Sequence, residues 1–274
     1  MKTIKQSFKI IPQDKGLEGI YKQIELAGRT CYKSEDKITE TSAKEFVDRM
    51  IKLGHGAMLE HGTVYLNLPL YVHCEDYIDN PYSKVESTKD YCYVTTNLRM
   101  LVENNLLDDL QYLCEPTDYH HKRITVKFTT DQGILREFTR HRVFSFACES
   151  TRYCNYSKDK FNNEITFIEP DWISDNREIN SEAYDSAYEI FCSAMEEAEG
   201  YYMMLIENGF KPQQARNVLP LATKCELVMT GYIEDWMHFF SLRSSILAGN
   251  SPHPQAAELA DSLYIEFKNY GIIK

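Results

Sequence analysis

The chain has 274 residues, 43% of them hydrophobic, enough to bury a sizeable core, and one compact α/β domain over 1–274 is the default. Its formal net charge of −11 argues against a general nucleic-acid or anionic-membrane binder, because a phosphate surface demands a broad basic face. Eight scattered cysteines with no Cys-x-x-Cys pair, no run of membrane-span length and a polar, alternating start read as reduced thiols in an untargeted, cytoplasmic chain.

Residues 3–12 alternate polar and apolar and read as a strand closed by Pro12. Gly16 to Gly28 carries Leu17, Ile20, Ile24 and Leu26 at helical spacing. Thr41 or Ser42 is expected to cap a helix running to Leu53, with Glu45 as capping-box partner and Gly54 as its stop. The stretch Gly54 to Leu68 is a histidine-bearing turn feeding a strand. His55 and His61 lack His-Glu-x-x-His spacing and a third ligand, so no metal site is expected. Tyr91 to Thr96 reads as a strand, and Asn97 to Leu113 as a helix with Leu98, Leu101, Val102 and Leu106 on one face. His120 and His121 are expected at the surface, before a clean strand at Lys122 to Phe128. After a polar loop at 156–163 and a short strand at Ile165 to Ile168, a long helix is expected from Ser181 to Glu207, ended by Asn208-Gly209. Its stripe of Tyr184, Ala187, Tyr188, Phe191, Ala194, Met195 and Ala198 is a core or subunit-interface face. Cys225 to Ile233 reads as a strand and Glu234 to Leu247 as a helix, and Pro254 suits the first turn of a last helix reaching Tyr270.

Between Arg136 and Arg152 four arginines stand against two glutamates, a local +2 inside an acidic chain. The planar fork of arginine matches a phosphate or a carbonyl-bearing ring, and Ser145, Ser150 and Thr151 add donors beside it. The plain alternative is a solvated turn paired with Glu137 and Glu149. The order Arg140-His141-Arg142, seven residues, Ser150, then Arg152-Tyr153 resembles the signature of the flavin-dependent thymidylate synthases. The approach Thr129 to Arg140 is similar to that family's passage from strand to helix. Further resemblances follow the family's order: Ala27 to Lys33, then Glu60-His61 with Thr63, then Gln213-Gln-Ala-Arg216-Asn-Val-Leu-Pro220, then Trp236 to Arg243, then His253-x-Gln255. Residues 74–121 are an insert relative to the shortest members.

The resemblance implies an α+β fold, with a mixed or antiparallel central sheet flanked by long helices, and a flavin site at a subunit interface of a homotetramer. No Gly-x-Gly-x-x-Gly follows a strand, so that site is not of the Rossmann kind. It implies methylation of dUMP to dTMP, with FAD as cofactor, 5,10-methylenetetrahydrofolate as carbon donor and NADPH or NADH as reductant. His61, Thr63, Arg140, His141, Arg142 and His238 carry over as flavin contacts. Ser150, Arg152 and Arg216 would surround the nucleotide phosphate, with Glu137, Arg140, Cys148, Glu149 and Thr151 as further nucleotide contacts. Arg243 would face the uracil and stabilise its negative charge as the catalytic cation. Neither a Gly-x-Ser-x-Gly elbow nor a His-Asp partner accompanies Ser150, so a hydrogen-bonding role is expected rather than a nucleophilic one. Two positions depart from the family: Ala147-Cys148 replaces a polar pair, leaving Glu149 to take over one contact, and Gln213 replaces a glutamate. If these are lesions, the alternative is a nucleotide- or flavin-binding protein of the same fold with impaired turnover. A uracil methylase acting on RNA is disfavoured by the lack of a wide basic surface.

Overall fold

A computed structural model describes residues 1–72, 74–158, 161–174, 181–249 and 251–274, with side chains left out at 174 and 181–185. The strands are β1 (Lys2–Ile4), β2 (Ser7–Ile11), β3 (Thr63–Pro69), β4 (Lys84–Ser87), β5 (Tyr91–Asn97), β6 (Arg123–Asp131), β7 (Ser145–Cys148), β8 (Thr166–Ile168) and β9 (Lys224–Tyr232). The helices are α1 (Gly16–Tyr32), α2 (Ser42–Lys52), α3 (Gly56–Leu59), α4 (Glu75–Ile78), α5 (Leu98–Glu103), α6 (Gln132–Phe138), α7 (Asp171–Ser174), α8 (Ser181–Glu207), α9 (Pro212–Ala215), α10 (Ile233–Arg243) and α11 (Pro254–Asn269).

Sheets of four strands (β2-β6-β9-β7) and three strands (β3-β5-β4) are antiparallel throughout, and a parallel β1-β8 pair makes the fold mixed. The expected strand at 3–12 is thus two strands in different sheets. One face of the four-stranded sheet carries Val126, Phe128, Leu227 and Met229, which α6, α10 and α11 cover with Phe138, Trp236, Phe239, Phe240 and Phe267. Trp236 is fully buried and donates its indole N–H to the Ile124 carbonyl at 3.1 Å, which satisfies its one polar group. A second core lies between the three-stranded sheet and α1 and α2, where Ile24, Val47, Leu66, Leu68, Val94, Leu98 and Leu101 meet.

Several local expectations give way to tertiary contacts. Of the two expected caps, Thr41 is the N-cap residue of α2, though its side chain makes no capping bond, and Ser42 is the first helical residue, its hydroxyl accepting from Thr39 N–H and donating to Glu25 at 2.9 Å. The expected helix at 97–113 is capped by the Asn97 side chain but ends at Glu103, and Asn105 turns with φ 58° before a 3-10 helix at Leu107–Tyr112. His120 is buried rather than at the surface: its ring lies edge-on to Tyr65 and Tyr93 and its Nε2 meets the Leu66 carbonyl at 3.1 Å. Helix α10 stops at Arg243, short of Leu247. The side chain of Tyr184, residues 159 and 160 of the polar loop, and Asn250 before the last helix lie outside the described residues. Among those described, no helix is long and apolar enough to cross a membrane.

Candidate active site

The register of the four-stranded sheet gathers three distant segments at one end. Asp131, the last residue of β6, pairs with Lys224, the first of β9, so α6, which follows β6, lies beside the segment that leads into β9. The Gln132 N–H donates to the Leu221 carbonyl at 2.9 Å across this junction. On the other side of β9, Cys148 of β7 pairs with Leu227, and Glu149 N–H extends the ladder to the Glu226 carbonyl at 2.8 Å. Asp131 caps α6 by accepting from Ile134 N–H at 2.7 Å, and the buried Gln255 amide donates to its other oxygen at 2.6 Å. The first turn of α11 thereby fixes where α6 begins.

Arg216 sits where α9 passes into a 3-10 turn and donates to the Thr151 hydroxyl at 3.1 Å. Both residues line a cavity of about 380 Å³ together with Gln132, Arg136 and Asn217. Ser150 is half-buried; its N–H donates to the Cys31 carbonyl at 3.0 Å, and its hydroxyl accepts from Arg152 N–H at 3.4 Å. Arg152 is exposed, with its guanidinium over the Tyr153 ring at 5.6 Å. Arg136 belongs to the arginine cluster read from the sequence but carries no assigned contact there. Its spacing of four from Gln132 on a helix capped at Asp131 is the signal that places both on one face.

A second group forms where α6 and α10 end. Arg243 pairs with the Glu137 carboxylate at 2.8 Å, donates to the Glu137 carbonyl at 2.9 Å, and donates through Nε to His141 Nε2 at 3.1 Å. His141 therefore accepts at Nε2 and carries its proton on Nδ1. Burial, then the charge of Arg243 and the neighbouring His238, push the His141 pKa down to about 4. Its ring packs edge-on against Phe239 at 5.0 Å and lies 6.3 Å from His238, which is exposed. Arg140, 73% exposed in its side chain, reaches Glu137 only at 3.9 Å, and Arg142 is exposed. As the consecutive basic residues suggest, this run lies past the end of α6, in a turn where each side chain takes its own direction.

The remaining named residues lie inward. His61 is fully buried with Nδ1 2.8 Å from the Thr230 hydroxyl; burial and the charge of Arg123 push its pKa down to about 3, against a backbone contact with Phe146 that raises it. Thr63 is buried and accepts at its hydroxyl from Arg123 at 3.3 Å. Burial, with Cys31 nearby, pushes the Cys148 thiol up to about 12, so it stays protonated. Glu149 is buried with its carboxylate on Lys224 at 2.8 Å and on Glu226 N–H at 3.1 Å. It belongs to a charge network with Lys33, Lys127, Lys224 and Glu226 that the spacing did not reveal. Burial alone would raise the Glu226 pKa, but Lys224, Lys33 and Lys127 hold it at about 2. Gln213 is exposed.

Compared with known proteins, residues 76–270 match the model of the thymidylate synthase complementing protein family. A flavin-dependent thymidylate synthase of Haloarcula marismortui is 31% identical over 128 residues, which cover 42% of this chain and 51% of that protein. One from Pyrococcus furiosus is 33% identical over 107 residues, covering 39% and 40%, so the chain spans about half the length or less of these relatives. A more distant one from Corynebacterium efficiens, 24% identical, covers 85% of this chain and 70% of its own length. Among solved structures, a UMP/dUMP methylase PolB from Streptomyces cacaoi bound with 5-Br UMP has the same fold at TM-score 0.50 and 16% identity, covering 98% of this chain and 92% of that one. With more than half its length matched by the family model, the chain belongs to the thymidylate synthase complementing protein family.

Proposed function

We propose that this protein is a flavin-dependent thymidylate synthase, methylating dUMP to dTMP with FAD as cofactor, 5,10-methylenetetrahydrofolate as carbon donor and NAD(P)H as reductant. The observation that carries the reading is the contact of Arg216 with Thr151, 65 positions apart, on a cavity that Arg136 also lines. Hydroxyl and guanidinium donors converging there are the set a 5′-phosphate dianion requires, with Ser150 and Arg152 on the same loop. Bound flavin supplies the hydride, a chemistry no side chain provides. The donors around the second group fit such a cofactor: Arg140, Arg142 and His238 are exposed beside a neutral His141, suited to pyrophosphate and ring edges. His61 and Thr63 belong to the same proposal as residues behind that face.

Arg243, fixed by Glu137 and His141, presents a guanidinium to the pyrimidine. Negative charge gathers in the ring as carbon 5 attacks the methylene group, and a cation already in place stabilises it without reorganising. Glu137 acts as a positioning residue through Arg243. The exposure of Arg140, Arg142 and Arg152 on one chain supports a site completed by a partner subunit in a homotetramer. The test is direct: purified protein should be yellow, bleach with NADPH, and release tritium from 5-tritiated dUMP only when the folate is present. A colourless protein that releases no tritium with added FAD overturns the reading.

A further inference from the structure

We infer that the groove beside the Ser150–Tyr153 loop is a site for the oligoanionic tail of a ligand, a row of carboxylates or phosphates. This deepens the reading above and rests on it only for the identity of the ligand. The groove, about 640 Å³, runs between the C-terminal half of α1 and α2 and is lined by five lysines and arginines and His55, with Asp36 as the one carboxylate among its lining residues. Two of these cations are already committed: Arg29 to Glu25 at 2.9 Å, and Lys33 to Glu35 and Glu226. Lys37, Arg49 and Lys158 are exposed and make no ion pair among the described residues. Arg49 is held over the Phe46 ring at 5.3 Å, with Arg29 also over that ring at 5.0 Å, so an aromatic contact orients its guanidinium and leaves its N–H donors available.

In a chain of net charge −11, three uncompensated cations around one carboxylate repel one another unless an anion joins them. The groove is also continuous with the candidate substrate loop. Tyr32 lines it and its ring lies 5.3 Å from that of Tyr153, next to Arg152, while the Cys31 carbonyl holds Ser150 N–H. Lys158 comes from the segment that follows the same loop. A ligand whose reactive end lies at Ser150 to Arg152 extends a tail past the Tyr153–Tyr32 pair onto Lys37, Arg49 and Lys158. Two substrates of the proposed reaction carry such a tail: a folate with an oligoglutamate chain, and a nicotinamide dinucleotide with its pyrophosphate.

The experiment compares wild type with Lys37→Glu/Arg49→Glu/Lys158→Glu, and with the neutral Lys37→Gln/Arg49→Gln/Lys158→Gln in case charge reversal impairs folding. Calorimetry at low salt uses inorganic tripolyphosphate, mono- and triglutamyl tetrahydrofolate, and NADPH. Tripolyphosphate affinity should fall about tenfold or more in either variant and weaken steeply with salt in wild type, as exposed ion pairs do. A triglutamyl advantage present in wild type and lost in the variants identifies the folate tail; NADPH weakened with the two folates equal identifies the dinucleotide. Tripolyphosphate bound equally by wild type and both variants overturns the site. None of these titrations needs turnover, so a protein that forms no thymidylate refutes the proposed reaction while the groove is still read.

Discussion

Arg243 is held by three partners, and this geometry decides what its substitution should do. A lysine keeps the charge but cannot reach the Glu137 carboxylate, the Glu137 carbonyl and His141 Nε2 at once, as the planar fork does. Arg243→Lys should therefore lower kcat by about a hundredfold, on the scale of a lost oxyanion donor, with substrate affinity changing far less. Rapid mixing should show normal reduction of the flavin by NADPH and slow reoxidation by dUMP and folate; the reverse pattern would make Arg243 a reductant-side residue. Arg216→Ala should weaken dUMP binding by roughly ten- to a hundredfold and leave FAD bound, the cost of one charge-assisted phosphate contact. Unchanged dUMP affinity by calorimetry would remove the phosphate assignment. His141 gives a pH prediction. Its folded pKa lies near 4, below an ordinary value near 6.5, so folding favours the neutral ring. That contribution is fully present above about pH 6.5 and is lost as pH falls through 4, because the unfolded chain binds the proton first. Thermal melts of His141→Gln should lose stability less steeply than wild type between those pH values, with the buried His61 still titrating in both.

Elements carry the site because three strand ends converge, and this level of organisation was only partly legible. The long periodic pieces could be read: the Ser181 to Glu207 helix coincides with α8, and the strands at Lys122 and Cys225 fall on β6 and β9. Short-range signals failed where a distant partner outcompeted them. Ser42 abandons capping for Glu25, and His120 is drawn inward by Tyr65 and Tyr93. The meeting of Arg216 with Thr151 depends on the β6-β9-β7 register, a long-range pairing that spacing along one chain does not encode. Gly231 shows how tightly that register supports the arginine turn. A Cβ there would stand 2.5 Å from the Phe144 ring, which lies two residues after Arg142 and packs against Trp236 at 4.7 Å. Gly231→Ala must push Phe144 aside, so a loss of about 1–3 kcal/mol is expected. Because Phe144 N–H is bonded to the His141 carbonyl, the shift should also loosen flavin binding. A melt and flavin affinity equal to wild type would show that the turn is positioned by something else.

At the scale of the whole molecule, residues 74–121, expected from the sequence to be an insert, fall almost wholly within the family match at 76–270 and pack against the elements on either side. We propose that the segment is part of one cooperative unit with the rest of the chain, and the packing supports that reading. Strand β5 pairs with β3 along seven residues, from Thr63 with Asn97 to Pro69 with Tyr91, and among the described residues β4 pairs with β5 alone. Val94, Leu98 and Leu101, all fully buried, fill the core shared with Ile24 of α1, Val47 of α2 and Leu66 of β3. Tyr232, the last residue of β9, has its hydroxyl within hydrogen-bond distance of the carbonyls of Thr95 at 2.9 Å and Tyr82 at 3.1 Å, either of which can accept its one proton, and this ties the same segment to the four-stranded sheet. Removing the segment would strip β3 of its hydrogen-bonding partner and expose the apolar face of α1 and α2, whose side chains contribute about 1.5–3 kcal/mol each when fully buried. A few such residues match the net stability of a typical domain, so the loss is global rather than local. Replacing 74–121 with a short Gly/Ser linker should therefore abolish the cooperative melt and flavin binding together. A cooperative melt with flavin still bound would show the segment to be an independent module carried by a smaller domain.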